Sequence, residues 1–182
     1  MTNVCVYCSS AEPIEQRYLD LADSVGARLA AAGYGLVSGG GRVSMMGALA
    51  RAARSGGAHT LGVIPQHLVP LEVADTAADE LVVVETMRER KRLMDERSDA
   101  FLALPGGIGT LEELFEAWTA RSLGMHAKPV IVLDPDGFYV PLWTYLDGLR
   151  ARGFVRASAL DVLCRVPTVD AALAALPPVL AP

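Results

Sequence analysis

The chain has 182 residues, 52% of them hydrophobic and 20% charged, a balance that fits a globular domain with a buried core and excludes a disordered polyelectrolyte. Sixteen basic against 21 acidic side chains leave a net charge of −5, which excludes a nucleic-acid coat or a polybasic membrane contact but not a small anionic ligand held by a local cluster. The N-terminus lacks the basic and apolar regions of a secretory signal, and no stretch approaches the roughly 20 apolar residues of a membrane span, so the cytosol is the expected compartment.

Residues 4–7 predict a first strand. Cys5-x-x-Cys8 falls inside this run rather than opening a helix, and Cys164 is the third cysteine. That pattern completes neither a zinc site nor a redox pair, so these read as ordinary buried thiols and no metal is expected. A helix follows over residues 13–32, ended by Gly33. A second strand over 35–38 runs into Gly39-Gly40-Gly41, and a helix over 45–54 closes at Gly56-Gly57. Residues 60–64 predict a third strand, followed by an irregular loop from 65 to about 78. The apolar run 81–84 is a fourth strand leading to a helix over 86–98. A fifth strand over 100–104 enters Pro105-Gly106-Gly107 and a helix from about 110 to 123. Then come a strand over 130–133, a helix over 139–152 and, from 162, one short strand and an Ala-rich helix.

Strands apolar on both faces and separated by helices imply an α/β fold: a mostly parallel sheet with helices on both faces. No repeat, low-complexity tract or linker divides the chain, so one domain over residues 1–182 is expected. In such sheets ligands bind beyond the carboxyl ends of the strands. Two of those ends carry glycine loops, the stretch from Ser38 to Gly47 and the stretch from Pro105 to Glu113. Each opens a helix whose free N–H groups suit a phosphate. Neither contains the lysine of a P-loop, and the third glycine of a dinucleotide fingerprint is replaced by Ser44 in one loop and Glu112 in the other. The alternative is a pair of plain strand-to-helix turns.

Arg92 has Glu89 three residues before it and Glu96 four after, a solvated pairing. Arg90 instead shares a stripe with Thr86, Met87, Leu93 and Met94, so its anion must lie elsewhere, and the strand-end cleft is the natural place. Lys91 reaches either the same cleft or Asp95 on its own helix. Glu113 has two readings. With Thr110 it has the spacing of a capping box, or it points toward a sugar or a cation such as Arg90.

Met87-x-x-Arg90-Lys91 followed by Pro105-Gly106-Gly107-x-Gly109-Thr110-x-x-Glu113 resembles the Lonely Guy family of cytokinin-activating phosphoribohydrolases, as do the Ser38-Gly39-Gly40-Gly41 loop and Met46-Gly47. The resemblance runs from about residue 4 to at least 139. It implies a Rossmann-like homodimer that cleaves N6-substituted adenosine 5′-monophosphates between base and ribose, without a metal or other cofactor. Arg90 and Glu113 would then be the catalytic pair. Glu72, Lys91, Thr119, Gly39, Gly40, Gly41 and the run Gly106, Gly107, Ile108, Gly109, Thr110, Leu111 and Glu112 would line the nucleotide. Ser44 departs from the family pattern, in which a glycine follows Gly-Gly-Gly-x-x. Phe115 and Trp118 either contribute to the dimer contact or belong to the subunit's own core. His59, His67 and His126 share no ligand spacing.

Glycosidic cleavage builds positive charge on the ribose, where a carboxylate stabilises it or activates water. Many relatives are labelled lysine decarboxylases, but such an enzyme needs a Schiff-base lysine, and the only lysines are Lys91 and Lys128, the latter at the wrong end of its strand. Two alternatives remain: a broader purine or pyrimidine nucleotide nucleosidase, and a non-catalytic nucleotide or molybdopterin carrier.

Overall fold

The computed structural model describes residues 1–70 and 73–179; Glu72 lies outside the described residues. Seven strands form one sheet: β1 (Asn3–Tyr7), β2 (Gly35–Ser38), β3 (Thr60–Pro65), β4 (Glu80–Val84), β5 (Ala100–Ala103), β6 (Val130–Leu133) and β7 (Leu163–Val166). Their order is β4-β3-β2-β1-β5-β6-β7, and every pairing is parallel.

Period-two alternation sends each central strand's side chains to two cores. Val4 and Val6 of β1, Leu102 of β5 and Ile131 and Leu133 of β6 pack on one face, beneath α1 (Gln16–Ala31) and α2 (Ser44–Ser55). Cys5 and Tyr7, Phe101 and Ala103, and Val130 and Val132 face the other way, toward α3 (Met87–Glu96), α4 (Ile108–Ser122) and α5 (Val140–Ala151). Cys5 and Cys8 join opposite cores as free thiols, and burial pushes both pKa values upward, so the Cys-x-x-Cys spacing places no pair. Trp118 is buried in the second core, where its indole N–H donates to the Ala159 carbonyl. It therefore belongs to the subunit rather than to its surface, whereas Phe115 is only partly buried.

Most element boundaries fall within a few residues of expectation. A short helix, α6 (Ala157–Asp161), precedes β7, and α7 (Val169–Ala174) closes the described chain. No helix among the described residues is long and apolar enough to cross a membrane. The chain moves outward from β1 through β2, β3 and β4, then crosses back to β5 on the far side of β1. That reversal splays the loops after β1 and β5 and opens a crevice between them.

Candidate active site

A cavity of about 200 Å³ occupies this crevice. Its wall comes from the end of β1 and the segment after it (Tyr7, Cys8, Ser9, Ser10, Ala11), from Gly39 and Met46, from Arg90 of α3, and from Gly107, Ile108, Gly109, Thr110 and Glu113 around the start of α4. Residues far apart in sequence thus converge at the reversal point of the sheet.

The start of α4 is built to be open. Gly107 is its N-cap and supplies no capping side chain, so the first-turn N–H groups of Gly107, Ile108, Gly109 and Thr110 lie beside the cavity without an intrahelical acceptor. A Cβ added at Gly107 or Gly109 would meet nothing within 4 Å, so these glycines leave room on the cavity side rather than for the protein's own packing. The helix's positive end adds roughly 0.3–1 kcal/mol for an anion at such a place. The helix begins two residues earlier than expected, which removes the capping-box reading of Thr110 and Glu113. Thr110 is 3% exposed and packs beneath Gly106, where a Cβ would fall 2.1 Å from its Oγ1. The capping box occurs instead on α3, between Thr86 and Glu89.

That box fixes the first turn of α3 and with it Arg90. The guanidinium is 5% exposed; its Nε donates to the Val63 carbonyl at 3.1 Å and one Nη to the Gly39 carbonyl at 2.9 Å. Gly39 is required by this close approach, because a Cβ there would lie 2.0 Å from the Arg90 Nη2. Glu113 lines the same cavity from α4. Its charge is felt by its neighbours: burial, and then the Glu113 carboxylate, push the Cys8 thiol up, and the same two causes contribute at Cys5 and Tyr7.

Glu113 and Tyr7 also line a second hollow of about 530 Å³, bounded by Lys91, Phe101, Glu112, Phe115, Glu116, Thr119, Met125 and His126. Lys91 bridges Glu112 and Glu116 of α4 rather than pairing with Asp95, which holds Lys128 at 2.6 Å instead. Burial pulls the Lys91 pKa down, but the two carboxylates outweigh it and hold the ammonium charged, a poor state for a Schiff-base amine. Lys128 is likewise committed, bonding the Asp95 carbonyl and lying 5.5 Å from the centre of the Phe101 ring.

The first glycine loop serves the protein's own structure. Gly40, with φ +76, accepts from the Asp75 N–H at 2.8 Å, Gly41 bridges Ala74, and the Arg42 N–H donates to Val73 at 3.0 Å. Asp75 is itself pinned by Arg54 at 2.7 Å. Of the three glycines only Gly39 borders the cavity. Ser44 adopts φ +50, the left-handed region that favours glycine. Its Oγ donates to the Ala11 carbonyl at 2.6 Å and its N–H to Glu12 at 3.0 Å, tying the loop to the segment after β1. Leu111 packs into the core and lines neither hollow. Among the described residues no group of three or more His, Cys, Asp or Glu is placed to hold a metal.

Sequence reasoning passed over the segment Tyr7 to Ala11. Its signal was the pair Ser9-Ser10 at the end of the first strand, whose importance becomes visible only once β1 is known to adjoin β5.

Residues 46–176 match a family model described as "Possible lysine decarboxylase". The chain is 51% identical to the cytokinin riboside 5′-monophosphate phosphoribohydrolase of Mycobacterium tuberculosis, over 96% of this chain and 93% of that protein. It is 44% identical to the cytokinin riboside 5′-monophosphate phosphoribohydrolase LOG of Oryza sativa subsp. japonica, over 91% of this chain and 68% of that one. Among solved structures it resembles the molybdenum cofactor carrier protein of Chlamydomonas reinhardtii, with a TM-score of 0.72 and 22% identity over 96% of this chain and 94% of that one, a likeness of fold.

Proposed function

We infer the reaction from the family to which the chain belongs, the Lonely Guy cytokinin riboside 5′-monophosphate phosphoribohydrolases. The protein is a hydrolase of the N-glycosidic bond in adenosine 5′-monophosphates, and it yields free base and ribose 5-phosphate. For its site, one observation carries the proposal: Arg90 and Glu113, from different helices, share a cavity with the open N-terminus of α4.

The phosphate sits on the N–H groups from Gly107 to Thr110, and the ribose lies between them and Glu113. The base extends into the larger hollow, whose Phe101, Phe115 and Met125 suit an apolar N6 substituent. Glu113, common to both hollows, stands beside the bond to be broken. As that bond breaks, its electron pair leaves with the base and positive charge grows on the ribose ring. Glu113 stabilises the charge and accepts a proton from the water that attacks the anomeric carbon; that proton then passes through solvent to the departing base anion, which leaves as neutral free base and restores the carboxylate. Arg90, fixed by two backbone carbonyls, keeps the carboxylate side of the cavity in register. Three free cysteines support a reducing compartment, the cytosol, and cytokinin activation is the proposed physiological outcome.

The test is to incubate the protein with N6-isopentenyl-AMP, AMP and the matching nucleosides and to separate the released bases by chromatography. The monophosphates should release base at least about 100-fold faster, because remote phosphate binding positions the reacting bond. Equal rates on AMP and adenosine would contradict the phosphate assignment. We also propose a homodimer, with the exposed Leu123 at the end of α4 in the contact. Light scattering at micromolar protein should then report twice the 19.3 kDa chain mass, and a monomer would refute this.

A further inference from the structure

We propose that Tyr139 is a positioning residue for the phosphate end of this site: its buried hydroxyl clasps the turn between β5 and α4 and so sets where the open N-terminus of α4 points. The inference rests on the assignment of phosphate to that N-terminus.

β5 ends at Ala103, and the turn of Leu104, Pro105 and Gly106 carries the chain into α4. One side of the turn is held by β1, through the Leu104 N–H to the Tyr7 carbonyl at 2.9 Å. The other side is held by Tyr139, whose hydroxyl donates to the Leu104 carbonyl at 2.7 Å. Tyr139 is 2% exposed, with Phe138 edge-on at 4.9 Å and Trp143 at 5.7 Å. Its own N–H donates to the Asp134 carboxylate at 3.0 Å, just past the end of β6. A rigid relay thus runs from β6 through Asp134 and Tyr139 to the turn. Tyr139 is not among the residues lining the cavity, so its hydroxyl has no substrate to contact. A phenylalanine would fill the same core volume; only the hydroxyl links β6 to the turn.

The test is Tyr139→Phe in the full chain, read by ribose 5-phosphate affinity in calorimetry and by steady-state rates on AMP and adenosine. A lesion confined to the phosphate anchor should weaken ribose 5-phosphate binding and raise KM for AMP by about 10-fold, the scale of one lost hydrogen bond. Turnover of AMP should fall alongside, because a displaced phosphate no longer positions the reacting bond, while the slow rate on adenosine should stay within about twofold of the parent. A merely structural role would lower both substrates' rates together, or leave ribose 5-phosphate affinity untouched, and either result overturns the proposal. If Tyr139→Phe does not fold, Asp134→Ala loosens the same relay one step back. It should weaken ribose 5-phosphate binding by about threefold, and unchanged affinity in that folded variant overturns the proposal. A parent enzyme that binds no ribose 5-phosphate would overturn the phosphate assignment itself, and this inference with it.

Discussion

The two glycine loops look alike in sequence and do opposite work. Around Gly39, Gly40 and Gly41 the protein fills the space that glycine vacates: Arg90 presses on Gly39, and the backbone of residues 73–75 takes up hydrogen bonds of Gly40, Gly41 and Arg42. Around Gly107 and Gly109 the space stays open, and a run of N–H groups faces the cavity. Glycine permits close approach, but only the fold decides whether the approaching group is the protein's own arginine or a ligand. We read the first loop as the seat of Arg90 and the second as the seat of the phosphate.

One methyl group in each loop separates the two roles. Gly39→Ala is the more damaging, because its Cβ would fall 2.0 Å from the Arg90 Nη2 and displace a guanidinium held by two carbonyls. Turnover should drop by roughly 100-fold or more, and the melting temperature by about 5–10 °C, the scale of two or three kcal/mol of buried polar bonding. Normal melting and normal turnover in that variant would end the claim that the first loop exists to seat Arg90. Gly109→Ala should behave in the reverse sense. Its Cβ meets nothing within 4 Å, and alanine gains about 1 kcal/mol over glycine in a helix. The variant should melt at the native temperature or about 2–4 °C above it, yet its KM for AMP should rise by about 10-fold through crowding of the phosphate. An unchanged KM would place the phosphate elsewhere.

Where local pattern dictates structure, the sequence was readable. The apolar strands and the parallel sheet follow from runs such as Val130–Leu133, buried on both faces. Arg90 was legible because its helical neighbours are mostly apolar, and it is indeed buried, while exposed Arg92 pairs with Glu96. Contacts between distant elements were less accessible. Lys91 has Asp95 at helical spacing but finds Glu112 and Glu116 on a neighbouring helix. The spacing Thr-x-x-Glu occurs at Thr86 and at Thr110, and only the former caps a helix. The difference lies upstream, where Thr86 is extended at φ −130 and ψ 156 while Thr110 already lies within the first turn. The roles of the Tyr7-to-Ala11 segment and of Tyr139 required the strand order and the turn geometry.

The most direct test of the account is Glu113→Gln, which keeps the side chain's size while removing its charge and its capacity to take a proton. Single-turnover release of base from AMP should fall by about 100-fold or more. Thermal melting measured alongside separates a folding defect from the catalytic loss, and α4 carries no side-chain cap for the substitution to remove. Ribose 5-phosphate should still bind within about threefold, because the proposed phosphate seat uses the backbone of Gly107 to Thr110 rather than the Glu113 side chain. A well-folded Glu113→Gln protein that releases base at close to the parent rate would contradict the account.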